Sequence, residues 1–238
     1  RPRDYLPKVV GQPQNDLQAF ISTKWPNSGQ TDNFLNFIRT ELIPYIDKLY
    51  PTYPHRTLIG HSNAGTLTLY SLFNQPELFN NYLAMSPQGW WSHAETLSNV
   101  EKLAGEKRPY QHLFISVGGE GGRFYSGTLD LLAAMEQNKP SQLVWKFQQY
   151  PNRGHMSGIL PALLDGLEYL FGHLNFTISP EIAKYAEVSA LTAHYADLSK
   201  KVGFVMVPPV NSYVDFAEAQ AAQQRHKHQQ VLLVFRGH

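Results

Sequence analysis

The chain has 238 residues, enough for one domain of ordinary size plus a small appendage, with a core large enough to fold without staples. Its formal net charge is +1 and the basic residues are scattered, which argues against nucleic acid as a partner. There is no cysteine, so disulfides, thiolate metal sites and a cysteine nucleophile are excluded, while the compartment stays open.

No run approaches the ~20 apolar residues of a membrane span, and no basic-then-apolar signal opens the chain. It begins with Arg1 rather than Met, inside a polar Arg-Pro-Arg-Asp stretch, and is expected to be cut from something longer. Gln18-Ala-Phe-Ile21 is a weak strand run. From Thr31 to Tyr50 the residues Phe34, Phe37/Ile38, Leu42, Ile46 and Leu49 recur at helical spacing, and Thr31 or Asp32 can cap the start. After the turn-rich Pro51-Thr-Tyr-Pro54, the run Arg56 to Gly60 reads as a strand, followed by a tight turn and a helix through Leu67, Tyr70, Leu72 and Phe73.

Three more strand-like runs follow at Asn81–Ser86, Leu113–Val117 and Leu143–Phe147, separated by helical or turn-rich segments. Strands alternating with helices predict a largely parallel α/β sheet. The last strand leads through Tyr150-Pro-Asn-Arg-Gly-His155 into a helix with an apolar stripe at Leu160, Leu163/Leu164, Leu167 and Leu170/Phe171. Beyond Phe176, Glu181–Phe204 and Tyr213–Phe235 read as helices separated by Gly203 and Pro208-Pro209. The expected division is an α/β domain over 1–176, incomplete at its N-terminus, and a helical extension over 177–238 that packs on the domain or on a protein partner.

Chemistry concentrates at Gly60-His-Ser-Asn-Ala-Gly65, directly after a strand and directly before a helix. In such a nucleophile elbow the serine sits on a strained turn that lifts Oγ above the sheet edge, and small neighbours let the helix approach the strand. Ser62 is the candidate nucleophile; Ala64 stands where the commoner pattern has glycine, with Gly65 next. The competing reading is an ordinary turn in which Ser62 caps the helix. His155 follows the last strand and precedes the last helix of the α/β body, the position of the base in the chain order serine, acid, histidine. Glu120, in Gly118-Gly-Glu-Gly-Gly122, is the candidate acid, with Asp130 the fallback inside the following helix.

The backbone N–H of Asn63 is one expected oxyanion donor, and a loop after an earlier strand should supply the second; no strong run before Arg56 provides that strand. His61 is placed at the substrate pocket, or packs and hydrogen-bonds locally beside the nucleophile. Trp90 and Trp91, in Ser86-Pro-Gln-Gly-Trp-Trp91, either wall the pocket or belong to the core. The histidines of Arg225-His-Lys-His228 offer at most a weak chelate, and no metal is assigned.

These residues resemble the esterase family of the α/β-hydrolase fold, the group that includes enterochelin-type siderophore esterases and mycolyltransferase relatives. The likeness is carried by Arg1-Pro-Arg-Asp-Tyr-Leu-Pro7, Glu41-Leu-Ile-Pro-Tyr-Ile46, Gly60–Gly65, Pro76-Glu-Leu-Phe79, Ser86–Trp91, Ser116-Val-Gly118 and the Gly154-His155 loop, and by Ala193–Ser199 in the tail. It implies an α/β-hydrolase-type sheet whose first strands lie before residue 1. It also implies Ser62 as nucleophile, His155 as base, Glu120 approximately as acid, no cofactor and a small-molecule ester substrate. Two rival readings stay open: an acyltransferase using the same triad, and a non-catalytic hydrolase-fold binding module.

Overall fold

The computed structural model describes residues 2–9, 13, 16–89, 91, 93–103, 110–140, 142–172, 188–202 and 205–236. The chain divides into two compact units, Arg1–Leu170 and Phe171–His238.

The first unit is built on a four-stranded, fully parallel sheet in the order β1-β2-β3-β4, with β1 at Thr57–His61, β2 at Asn81–Met85, β3 at Gln111–Gly118 and β4 at Leu143–Tyr150. Helices connect the strands: α5 (Asn63–Asn74), α6 (His93–Leu103) and α7 (Gly122–Asn138), with α8 (Ile159–Phe171) after β4. Parallel strands need such crossovers, and strands covered on both faces read as continuous apolar runs. Central β2 is buried at every position, whereas edge strand β4 alternates and leaves Val144 exposed. The other edge, β1, leaves Ile59 41% exposed. The core gathers Leu67, Leu72, Tyr82, Leu113, Ile115 and Leu131 with neighbours from α3 and α7.

Before the sheet lie the short α1 (Pro2–Tyr5), α2 (Asp16–Lys24), α3 (Thr31–Phe37) and α4 (Ile43–Leu49). The weak strand run at Gln18–Ile21 lies inside α2; Asp16 in its first turn and Lys24 in its last complement the helix dipole. The helix expected over Thr31–Tyr50 forms, but a π-helical turn at Ile38–Leu42 joins α3 to α4, and Ile43 N–H donates to Ile38 O five residues back. Pro44, which has no N–H and whose ring crowds the preceding turn, follows at once, and the wider turn accommodates it. The face buried here is Thr31, Leu35 and Ile38, while Phe37, Leu42 and Leu49 of the expected stripe are exposed.

A similar difference arises on α8. Leu160 and Leu164 are exposed, and the buried face is Ala162, Gly166 and Leu170. A Cβ on Gly166 would stand 2.5 Å from Leu83 Cδ1 and 3.1 Å from Phe114 Cδ1, so the helix packs on the sheet through its smallest residues.

The second unit contains α9 (Val188–Val202) and α10 (Val210–Arg236). Leu191, Tyr195 and Leu198 form its buried cluster with Met206 against it. Ser199 Oγ donates to Tyr195 O at 2.7 Å and accepts Met206 N–H at 2.8 Å, tying α9 to the connector. The expected helix start at Glu181 and its end at Gly203-Phe204 lie outside the described residues. No described helix is long and apolar enough to cross a membrane.

Candidate active site

Ser62 stands between β1 and α5 with φ 60° and ψ −121°, a region that side-chain-bearing residues seldom occupy. Its own N–H donates to Met85 O at 2.9 Å, and its carbonyl starts the helix by accepting Thr66 N–H at 3.1 Å. The glycines permit this turn. A Cβ on Gly60 would lie 2.0 Å from Ala64 O, and one on Gly65 would lie 2.9 Å from Met85 O. The close approach to β2 is therefore carried by Gly65, which explains why Ala64 can keep its methyl. Asn63 is the first residue of α5, where helical N–H groups have no intrahelical acceptor. Gln88 Nε2 donates to Asn63 Oδ1, and Gln88 N–H donates to Thr66 Oγ1 at 2.9 Å, so the loop after β2 clasps the elbow from the side.

All strands point the same way, so the loops that follow them open at one end of the sheet. Glu120 lies two residues beyond β3 and His155 five beyond β4. His155 Nδ1 and Glu120 Oε1 are 2.9 Å apart, the imidazole donating to the carboxylate; the side chains are 31% and 8% exposed. Gly119 N–H also donates to Arg153 O at 2.6 Å, which joins the two loops through backbone. Asp130 lies on α7 and is exposed.

The loop of His155 also reaches β1. His61 Nε2 lies 2.9 Å from His155 O, and the two rings are 4.4 Å apart at 45°. Phe124, in the first turn of α7, flanks the His155 ring at 5.4 Å. The structure thus brings His61 and Glu120 against His155, and His61 is the chain neighbour of Ser62. Trp91 is buried beside Leu6, and its indole N–H donates to Pro7 O at 2.9 Å, which makes it part of the core. Trp90 lies outside the described residues.

The electrostatics follow from this crowding. Burial raises the Glu120 carboxyl, but hydrogen bonds from Ser86, His155 and its own backbone, with the nearby His155 charge, hold it below the ordinary carboxylate range. Burial, then the His155 charge, pushes His61 below its ordinary value against the opposing pull of the His155 carbonyl and Glu120. A neutral His61 and an ionised Glu120 therefore flank His155. Sequence reading did not anticipate Ser86, which adopts φ 41° at the end of β2, or Gln88. Their only local signal was the Ser86–Trp91 motif. Among the described residues no group of three or more metal-ligating side chains is assembled, and no strand precedes β1.

The sequence model of the family described as "Putative esterase" matches residues 7–157. The siderophore enterobactin esterase of Emericella nidulans is 35% identical over 78 residues, which are 32% of this chain and 26% of that protein. The ferri-bacillibactin esterase BesA of Bacillus subtilis is 27% identical over 149 residues, 59% of this chain and 51% of that one. The crystal structure of an IroE-like serine hydrolase from Shewanella oneidensis superposes with a TM-score of 0.76 at 23% identity, covering 94% of this chain and 73% of its own, a likeness of fold. The chain therefore spans only about a quarter to a half of the length of these two curated relatives.

Proposed function

Because the chain belongs to the putative-esterase family, we propose that it is a serine esterase in which Ser62 is the nucleophile, His155 the general base and Glu120 the orienting acid. The hydrogen bond between Glu120 and His155, on the loop that also contacts the strand of Ser62, is the observation that supports this reading most strongly.

In the reaction, His155 takes the hydroxyl proton as Ser62 Oγ attacks the ester carbonyl. Asn63 N–H stabilises the oxyanion. The proton then passes from His155 to the departing alkoxide, leaving an acyl-enzyme; water, deprotonated by the same imidazole, releases the acid and regenerates Ser62. Glu120 stays ionised, holding the ring with Nδ1 protonated and stabilising the imidazolium.

The relatives' names point to the substrate class, an ester-linked siderophore. Hydrolysis of enterobactin and bacillibactin, followed by mass spectrometry with Ser62→Ala as control, tests it. Appearance of linear acids with the wild type alone supports the assignment, and intact siderophore in both samples rejects that substrate. A non-catalytic binding module is the second reading; siderophore binding without turnover would support it.

A further inference from the structure

We propose that His61 is a positioning residue that braces the loop of His155 against the strand that carries Ser62. The proposal rests on the reading of Ser62 and His155 as nucleophile and base. His61 is the last residue of β1 and the immediate neighbour of Ser62. A carbonyl oxygen only accepts, so the contact between His61 Nε2 and His155 O fixes His61 with its proton on Nε2. That single bond spans 94 residues of sequence. It links the two elements whose relative position determines whether a proton can pass from serine to imidazole. Two further ties of the base loop, Gly119 N–H to Arg153 O and His155 Nδ1–H to Glu120, hold it to the loop after β3 and not to the nucleophile's strand.

His155 is thereby held at its carbonyl by His61, at Nδ1 by Glu120, and on its ring by His61 and Phe124. The brace also suits the charge that develops. Burial and the neighbouring His155 keep His61 neutral, so it does not oppose the imidazolium formed on His155 during turnover, while Glu120 favours it.

The test compares His61→Gln with His61→Asn. The Gln amide nitrogen reaches about as far from the backbone as Nε2, and the Asn amide only as far as Nδ1, so both are polar but only Gln can reach the His155 carbonyl. Three readouts are taken: the rate of labelling by a fluorophosphonate, kcat and KM on p-nitrophenyl acetate, and the downfield NMR signal of the His155 Nδ1 proton, identified by its loss in His155→Ala. The expected result is His61→Gln within about threefold of wild type. His61→Asn should be about 10–100-fold slower in labelling and kcat with KM unchanged, its downfield signal broadened by exchange. Equal rates and signals in the two variants, whether both normal or both impaired, would overturn the proposal, and so would a His61→Gln chain that does not fold. If His61→Asn alone unfolds, the contact holds the fold and not the geometry of His155, and the proposal fails. An unlabelled wild type would sink the nucleophile reading, and the NMR contrast would still decide the brace.

Discussion

Glu120 accepts the Nδ1–H of His155 at 2.9 Å, joining the loop after β3 to the loop after β4. Glu120→Gln retains the shape of the side chain but removes its charge and allows the wrong imidazole tautomer. Steady-state kinetics should register a loss in kcat of about 10²–10⁴-fold. Asp130→Asn, on the exposed face of α7, should stay within about twofold; a larger loss there than at Glu120 would transfer the role of acid to Asp130.

Stability should fall on the acid side in two steps of the same sign. His61 in the folded chain titrates below its ordinary value of 6.5, so the unfolded chain binds the extra proton first and stability declines as pH falls through the window just below that value. Glu120, also depressed, adds a second decline as pH falls from its ordinary value of 4.5 through its folded one. Urea midpoints from about pH 7 to about pH 5 isolate the histidine step, which His61→Gln should flatten. A midpoint that rises with acidification over that window would contradict the His61 assignment.

The elbow predicts a contrast between glycines. At Gly60 a methyl would meet Ala64 O at 2.0 Å, so Gly60→Ala should cost more than about 2 kcal/mol and abolish serine labelling. At Gly154, next to His155, the nearest atom to a new Cβ is Ser157 Oγ at 3.9 Å, and Gly154→Ala should cost less than about 1 kcal/mol. Thermal melting of the two variants decides the comparison.

Much of this architecture was legible because it is local. The four strands appear as apolar runs, and β4 exceeds its run because the polar Gln148 and Gln149 remain in the ladder opposite Ser116 and Val117. Ser62, Glu120 and His155 are each marked by their own loop, and their chain order relates them. What could not be read is non-local. Which face of α8 is buried depends on Leu83 and Phe114, residues far away in sequence, that leave no room for a side chain at Gly166. The contact of His61 with His155 O depends on how the loop of His155 returns to β1, and nothing in Gly60–Gly65 encodes that. At Gln18–Ile21 a short apolar run is compatible with either period, and helix prevails.

Trp91 offers a test of core against pocket. Trp91→Phe removes the indole donor to Pro7 O and some volume from a buried site. It should lower stability by about 1–3 kcal/mol while KM for a small ester stays the same. A raised KM at unchanged stability would instead place Trp91 at the substrate.

The central claim is an activated serine at position 62. Reaction of the chain with a fluorophosphonate, followed by peptide mapping, should give one adduct on the peptide that contains Ser62, absent from Ser62→Ala and strongly slowed in His155→Ala. An adduct on another residue, or a folded chain that takes up none, would contradict the account.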